Sequence, residues 1–580
     1  YANDRSLVDI VYDGQKKYNF RTNVDYNIGK YVKTEFNLSY DKRKVSTPQQ
    51  GVGHGVQDFY IFPLYNSYGQ YYDTFGNNNL VAKLKEGGRT NDTEEVLRLG
   101  GKVTFDLGML TKGLSVSANA NVRLRKHMKI ERQTRVTLYD WSGETISEDG
   151  TPDYSLGTGA VNSKTSDNDR WVKNTFEDVL FQTYGGFINY NRSFSDHNIG
   201  FMGGMTAEKS TYKKIYQFRR GMSVDELDDI NLGDATTAEA TGGSNEIGMV
   251  SYLGRLNYDY KGIYLLEGIF RRDGSSRFNK DNRWANFTGV SGGIRFSEYD
   301  FVKQWNLFDN LKLRASYGET GSQTGIGNYD YISSIKTGTT VFGYTGTKYN
   351  TSQIDGMTSS NRTWERVATT NIGVDFGVLQ NRLTGTFEYY IRENKGMLIA
   401  MTYPQTLGTS APKTNNGNFR ANGWELQLNW NDKIGDDFLY RVGFSLADAR
   451  TEVTKYTGAV AIGVGLNNKV IAADKTGSFI EGKPLNALYV YKTDGYLQNQ
   501  AEVDAYYPTI NASGTLAPVQ GTANQLMPGS VKKIDINKDG KITTDDLSYY
   551  GDANPHYTFG LNLGANYKGF DFSMFIQGVG

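Results

Sequence analysis

The 580 residues contain no cysteine, only ten prolines and four histidines, and no apolar run long enough to span a bilayer as a helix. Each absence excludes something. Without cysteine there is no disulfide framework and no thiolate zinc site, and the chain suits an oxidising compartment. With no apolar run of about 18 residues or more, a transmembrane helix is excluded, although a β-barrel is not. Lysine plus arginine and aspartate plus glutamate each number 63, so the formal charge is zero and no field for nucleic acid is implied. Helical periodicity is nearly absent as well.

What the chain does have is tyrosine, glycine and alternation. It holds 41 Tyr and 67 Gly. From Tyr18 to Tyr26 one face reads Tyr18, Phe20, Thr22, Val24 and Tyr26, and the other Asn19, Arg21, Asn23 and Asp25. After Ile28-Gly29-Lys30-Tyr31, Val32, Thr34, Phe36, Leu38 and Tyr40 oppose Lys33, Glu35, Asn37 and Ser39. A period of two marks a β-strand. The same pattern predicts strand pairs at about 16–28 with 31–42, 97–108 with 113–130, 179–193 with 197–219, and 246–259 with 263–272. Further pairs fall at about 285–297 with 311–318, 369–379 with 383–393, 421–431 with 438–450, and 557–567 with 570–580.

Within a pair the turn is mostly short, as in "DYKG", "LQNR" and "NYKGF", with a longer link at 298–310. Between pairs the connections are mostly long, at roughly 43–96, 131–178, 220–245, 319–368 and 451–556. Nothing in a soluble sandwich demands that parity. An outer-membrane barrel does, having short periplasmic turns and long extracellular loops. Runs of ten to thirteen residues also match the roughly 9–11 needed to cross a bilayer at a tilt. The expected fold class is therefore all-β, a transmembrane antiparallel β-barrel with about 16–17 strands in this chain. Phe20, Val24, Phe36 and Leu38 are expected to face lipid, and Arg21, Asp25, Lys33 and Glu35 a wet interior, with the residues after Tyr40 opening the first long outer loop.

One motif carries chemistry. "DINKDGKITTDD", 535–546, places Asp535, Asn537 and Asp539 at positions 1, 3 and 5 of a twelve-residue calcium loop, with Gly540 at the sharp turn. Lys541 offers a backbone carbonyl at position 7, Thr543 a hydroxyl or a bridging water at position 9, and Asp546 closes the loop where glutamate is usual. Hard oxygens at these offsets suit one structural Ca2+ ion, with magnesium or an empty acidic turn as the alternatives. The segment lies in the long 451–556 connection, so a loop staple is expected rather than a catalytic centre.

Other signals are weaker. "GVSGG" at 289–293 matches the nucleophile-elbow pattern but sits in a continuous strand with no helix after it, so it is read as chance. His54, His127, His197 and His556 show no metal spacing and are expected at the surface or in loops. No carboxylate pair stands out for acid–base work, and no catalytic residue is assigned. The loop aromatics Phe59, Tyr60, Tyr65, Tyr68, Tyr71 and Tyr72, set among amides, suit a sugar face or an extended peptide, or else ordinary loop packing.

Five stretches together carry a family resemblance. They are "FRRDGSSRFNKDNRW" (270–284), "LKLRASYGETGSQTGIGNYDY" (311–331), "WERVATTNIGVDFGVLQNRLTGTFEYY" (364–390), "DINKDGKITTDD", and "GDANPHYTFGLNLGANYKGFDFSMFIQGVG" (551–580). In order along the chain they resemble SusC/RagA-type TonB-dependent outer-membrane transporters of the Bacteroidetes. The resemblance implies a 22-stranded barrel around an N-terminal plug, a SusD-like surface lipoprotein as lid, energy from the TonB–ExbB–ExbD complex, and an oligosaccharide or peptide cargo. Residues 1–580 are then expected to be a barrel domain cut at both ends, lacking the plug. On the parity count, 451–556 is an extracellular loop with the calcium-type loop inside it. A passive porin and a surface β-adhesin are the rival readings, and an enzyme has least support.

Overall fold

The computed structural model describes all residues except 1, 6–10, 50–63, 66–68, 73–78, 140–169, 342–345, 347, 355, 401–412, 457–461, 465–469, 473–479, 512–526, 539–541 and 543–545. Its main topology is an antiparallel meander of seventeen strands. The first eight are β1 (Ala2–Arg5), β2 (Gly14–Ile28), β3 (Val32–Pro48), β4 (Arg89–Asp106), β5 (Leu114–Gln133), β6 (Trp171–Phe194), β7 (His197–Arg220) and β8 (Glu239–Tyr260). Next come β9 (Tyr264–Ser275), β10 (Trp284–Arg295), β11 (Phe308–Ser322), β12 (Glu365–Val378) and β13 (Leu383–Ala400). The last are β14 (Lys413–Ile434), β15 (Phe438–Tyr456), β16 (Thr558–Tyr567) and β17 (Phe570–Gly578). Short turns such as 29–31, 195–196, 261–263, 379–382, 435–437 and 568–569 alternate with long connections such as 49–88, 134–170, 221–238, 323–364 and 457–557.

Several strands are longer than the alternation predicted. β3 continues to Pro48 rather than ending near residue 42, and β6, 24 residues long, begins at Trp171 rather than near 179, whereas β7 keeps the expected 197–219 almost unchanged. At roughly 3.3 Å per residue such a strand is about 80 Å long, whereas roughly 9–11 residues suffice to cross a bilayer. The excess lies at the long-connection end. There charged residues stand on both faces of the strand, so apolar alternation is no longer kept while the backbone ladder continues. Arg43 stands opposite Glu94, and Lys42 opposite Glu95, in that extension.

Contacts divide the chain into two units, residues 1–190 with 203–252, and residues 191–202 with 253–580. In the first, β1 to β6 pair in sequence, and the register Val24 opposite Phe36 keeps the apolar residues of the opening hairpin on one face. Its packed apolar cluster sits at a strand end: Ala82 of the short helix Leu80–Glu86 meets Val136 and Leu138. In the second, β9 to β17 pair in sequence, and Phe278, Phe287 and Trp364 pack together under the 276–283 link.

Helix content differs from the expectation. Besides Leu80–Glu86, helices span Asp300–Lys303 in the 298–310 link and Gln500–Asn511 in the 457–557 connection. The 323–364 connection carries its own hairpin, Ile335–Val341 with Lys348–Ile354. The 457–557 connection is likewise structured. Ala487–Tyr491 pairs with Leu547–Asp552, and Thr493–Tyr496 with Val531–Lys533. Leu497, Val503 and Ile542 are buried among these elements.

Candidate functional site

The first candidate site is the polar face of the sheet. In the first unit, alternate residues of β2 to β7 place charge against charge. Glu35 lies 2.7 Å from Lys33 and 3.6 Å from Lys102. Glu94 meets Arg125 at 2.5 Å and Arg43 at 3.5 Å. Glu177 takes a hydrogen bond from Tyr212 at 3.0 Å and faces Lys214 at 3.4 Å. Lys129 and Lys173 both reach Glu131. In the second unit Arg314 contacts both Asp375 and Glu388, whereas Arg420 and Glu393, 2.8 Å apart, share the opposite face with Tyr389 and Trp424 near the long-connection end. Exposed pairs of this kind stabilise by roughly 0–1 kcal/mol each, so their message is placement. Charges of both signs line one face. The opposite face carries Phe20, 57% exposed, with Val24, Tyr26 and Phe36 also open. Exposed apolar stripes with charges behind them are what a lipid solvent selects.

Two histidines belong to the charged systems rather than to isolated surface positions. His127 lies on β5, half-buried, with Nε2 3.0 Å from Asp92 and Nδ1 3.5 Å from Glu177. Its alternation with charged neighbours marked the strand, but nothing in sequence placed β4 and β6 on either side. His556 sits just before β16, with Nδ1 2.7 Å from Asp448 and Nε2 3.4 Å from Asp552. The Asp448 carboxylate raises its pKa above the ordinary 6.5, and Asp552 adds to the shift. His197 lies 2.7 Å from the Tyr258 hydroxyl, and His54 is outside the described residues.

The second candidate is the acidic loop. Asp539, Lys541 and Thr543 fall outside the described residues; Asp535, Asn537 and Asp546 are described. Asp535 Oδ1 accepts from Lys538 N at 2.7 Å, and Lys538 has φ +60°. Asp546, fully buried, accepts from Ile536 N at 2.8 Å and from Asn537 N at 3.5 Å, tying the end of the loop to its start. Ile542 is fully buried. Asp535 follows the strand Val531–Lys533 and Asp546 leads into Leu547–Asp552, so the loop joins the two small sheets of the connection. Beside it Lys533 reaches over the Tyr491 ring at 4.3 Å, and burial lowers the pKa of its amine. The Tyr506 hydroxyl donates to Lys533 O and accepts from Lys533 N, both at 2.8 Å.

The helix Gln500–Asn511 went unread in the sequence, yet a signal was present. Asn499 Oδ1 accepts from Glu502 N at 2.9 Å, and Glu502 Oε2 accepts from Gln498 N at 2.9 Å. Asn followed three residues later by Glu is a helix-start signature. Of the loop aromatics, Phe59, Tyr60 and Tyr68 lie outside the described residues. Tyr71 packs on the cluster around Ala82, and its ring lies 5.3 Å from that of Tyr65. Tyr72 forms a backbone bridge to Tyr139, and Tyr65 is exposed.

Comparison with known proteins fits this geometry. No protein-family model matches. TonB-dependent receptor P26 of Formosa agariphila is 26% identical over 593 residues, covering 100% of this chain and 54% of that protein. TonB-dependent receptor P3 of the same organism is 28% identical, over 67% of this chain and 38% of its own length. TonB-dependent receptor SusC of Bacteroides thetaiotaomicron is 29% identical over 59% of this chain and 32% of its own. The chain thus spans about half or less of the curated relatives it matches. Among solved structures, the RagAB peptide transporter superposes with a TM-score of 0.70 at 18% identity, over 98% of this chain and 58% of that one. The RagAB peptide importer in its "open-open" state gives 0.72 at 18% identity, over 98% and 57%. Strands exposing apolar residues on one face, charges on the other, and these likenesses agree: the chain is similar in sequence to SusC and other TonB-dependent receptors and has the β-barrel fold of the RagAB outer-membrane transporter.

Proposed function

We propose that the receptor carrying this chain imports oligosaccharides or oligopeptides across the outer membrane, with a SusD-like lipoprotein as lid and the TonB–ExbB–ExbD complex as energy source. The observation that carries this reading is the charged face of the sheet in each unit, where both signs meet, as at Glu35 with Lys33 and Lys102 and at Arg314 with Asp375 and Glu388. A face that carries both signs favours neutral or zwitterionic oligomers over simple ions of one sign. The names of the relatives point the same way: SusC is a TonB-dependent receptor, and RagAB is called a peptide importer. The test is uptake of labelled oligomers in the parent strain, a receptor deletion and a tonB deletion, with co-purification of the lipoprotein. Loss of uptake in both deletions is expected. Uptake that survives the tonB deletion but not the receptor deletion would identify a passive channel instead.

We also propose that the 535–546 loop holds one Ca2+ ion through Asp535, Asn537, Asp539, the Lys541 carbonyl, Thr543 and Asp546. Burial of Asp546 and Ile542, and the bonds from Asp546 back to Ile536 and Asn537, draw the two ends of the loop together as such a site requires. The ion would neutralise the carboxylates that bind it and staple the two small sheets. Calcium titration calorimetry of the purified receptor should give binding heat that Asp535→Ala with Asp539→Ala abolishes; no heat in the parent protein contradicts the site.

A further inference from the structure

The 296–307 link is the longest of the connections at the short-turn end, and it is built rather than loose. Val302 N and Lys303 N both donate to Tyr299 O at 3.0 Å, Gln304 N donates to Asp300 O at 3.0 Å, and Trp305 N donates to Val302 O at 3.1 Å. Asn306, at φ +49°, adopts the left-handed conformation that ends such a turn. Val302 is buried, whereas Phe301, Trp305 (58% exposed) and Leu307 project outward.

These rings continue a row. His197, Tyr260, Tyr264, Tyr299, Phe301 and Trp305 follow one another with centroids 4.7, 6.2, 6.4, 5.7 and 5.9 Å apart. The Tyr264 and Tyr299 hydroxyls lie 2.6 Å apart, fixing the link to β9. Tyr264 shares a strand face with Leu266, and Ile294 and Leu313 stand beside them on β10 and β11. That is the apolar face, because Lys312 and Arg314 alternate with Leu313 onto the charged one. The exposed rings of the link are therefore continuous with the lipid-facing surface of the sheet.

We propose that the 296–307 link is an interfacial anchor, with Phe301, Trp305 and Leu307 seated in the phospholipid headgroup region. Lys303, paired with Glu298 at 3.3 Å, keeps its amine at the water boundary. An aromatic edge with a basic side chain beside it is the composition that lies in an interface plane. The link thereby extends the membrane contact of β9 to β11 beyond the strand ends and resists tilting of that edge.

The absence of cysteine from these 580 residues makes the test direct. Phe301→Cys, Trp305→Cys and Leu307→Cys each receive an environment-sensitive fluorophore in the full-length receptor, with any cysteine elsewhere replaced by serine. The receptor is reconstituted in phosphatidylethanolamine and phosphatidylglycerol vesicles containing lipids brominated near the headgroup. Leu266→Cys is the lipid control, and Asp436→Cys, 98% exposed in another short turn, is the water control. Quenching at the link positions roughly three-fold or more above that of Asp436 is expected for an interfacial seat. Quenching equal to that of Asp436, while Leu266 is strongly quenched, overturns the anchor and leaves the barrel reading intact. Protection from a water-soluble maleimide without quenching would also overturn it, because a protein would then cover the link. Leu307→Cys removes no ring and keeps the test decisive if the aromatic variants fold poorly.

Discussion

Phe20 and Arg21 are neighbours in the chain and belong to different solvents. The ring opens outward with Val24 and Tyr26, while the guanidinium shares its face with Asp25 and with Lys33 and Glu35 across the hairpin. Val24→Lys is expected to cost about 2–4 kcal/mol of folding stability in vesicles if it lies near the midplane. Asn23→Lys, one residue away on the wet face, should cost far less; urea titration of tryptophan fluorescence separates the two. At His556 the sign can also be worked out. Its pKa is raised in the folded protein by Asp448 and Asp552, and Arg450 lies on the far side of Asp448 at 3.3 Å. The stabilisation is therefore complete below the unfolded value of 6.5 and is lost as pH climbs through the raised folded value. Proteolysis of the 457–557 connection should accelerate as pH rises across that window, and His556→Gln should flatten the dependence.

At the level of elements, the helix Gln500–Asn511 depends on its cap. Asn499→Ala removes the acceptor for Glu502 N and should cost about 1 kcal/mol locally, read as faster amide exchange in residues 500–506. That helix also shows where sequence reading stops. Strand interiors were legible because lipid on one face and water on the other force a period of two, as in Phe387 and Tyr389 against Glu388. Strand ends were not, because beyond the bilayer Lys42 and Arg43 satisfy the ladder as well as Phe36 does. The structured connection 485–556 was read only at its acidic motif. Its core is a few scattered residues, Leu497, Val503 and Ile542, brought together from separate segments, so no single window carries the pattern. The same holds for His127, whose partners Asp92 and Glu177 are set by strand register. The 298–310 link was seen as long, but its helix of four residues is too short to show a period.

For the whole molecule, the account rests on which medium each face of the sheet meets. The proposed transport, lid and energy source all presuppose that the apolar face meets lipid and the charged face meets water. The most direct measurement is a spin-label scan of single cysteines from Tyr18 to Ile28 in the reconstituted receptor, recording relaxation by oxygen, which concentrates in lipid, and by a water-soluble nickel chelate. Oxygen maxima are predicted at Phe20, Thr22, Val24 and Tyr26, with nickel maxima at Arg21, Asn23 and Asp25, the two series opposite in phase. Series that rise and fall together, or oxygen maxima at Arg21 and Asp25, would contradict the account.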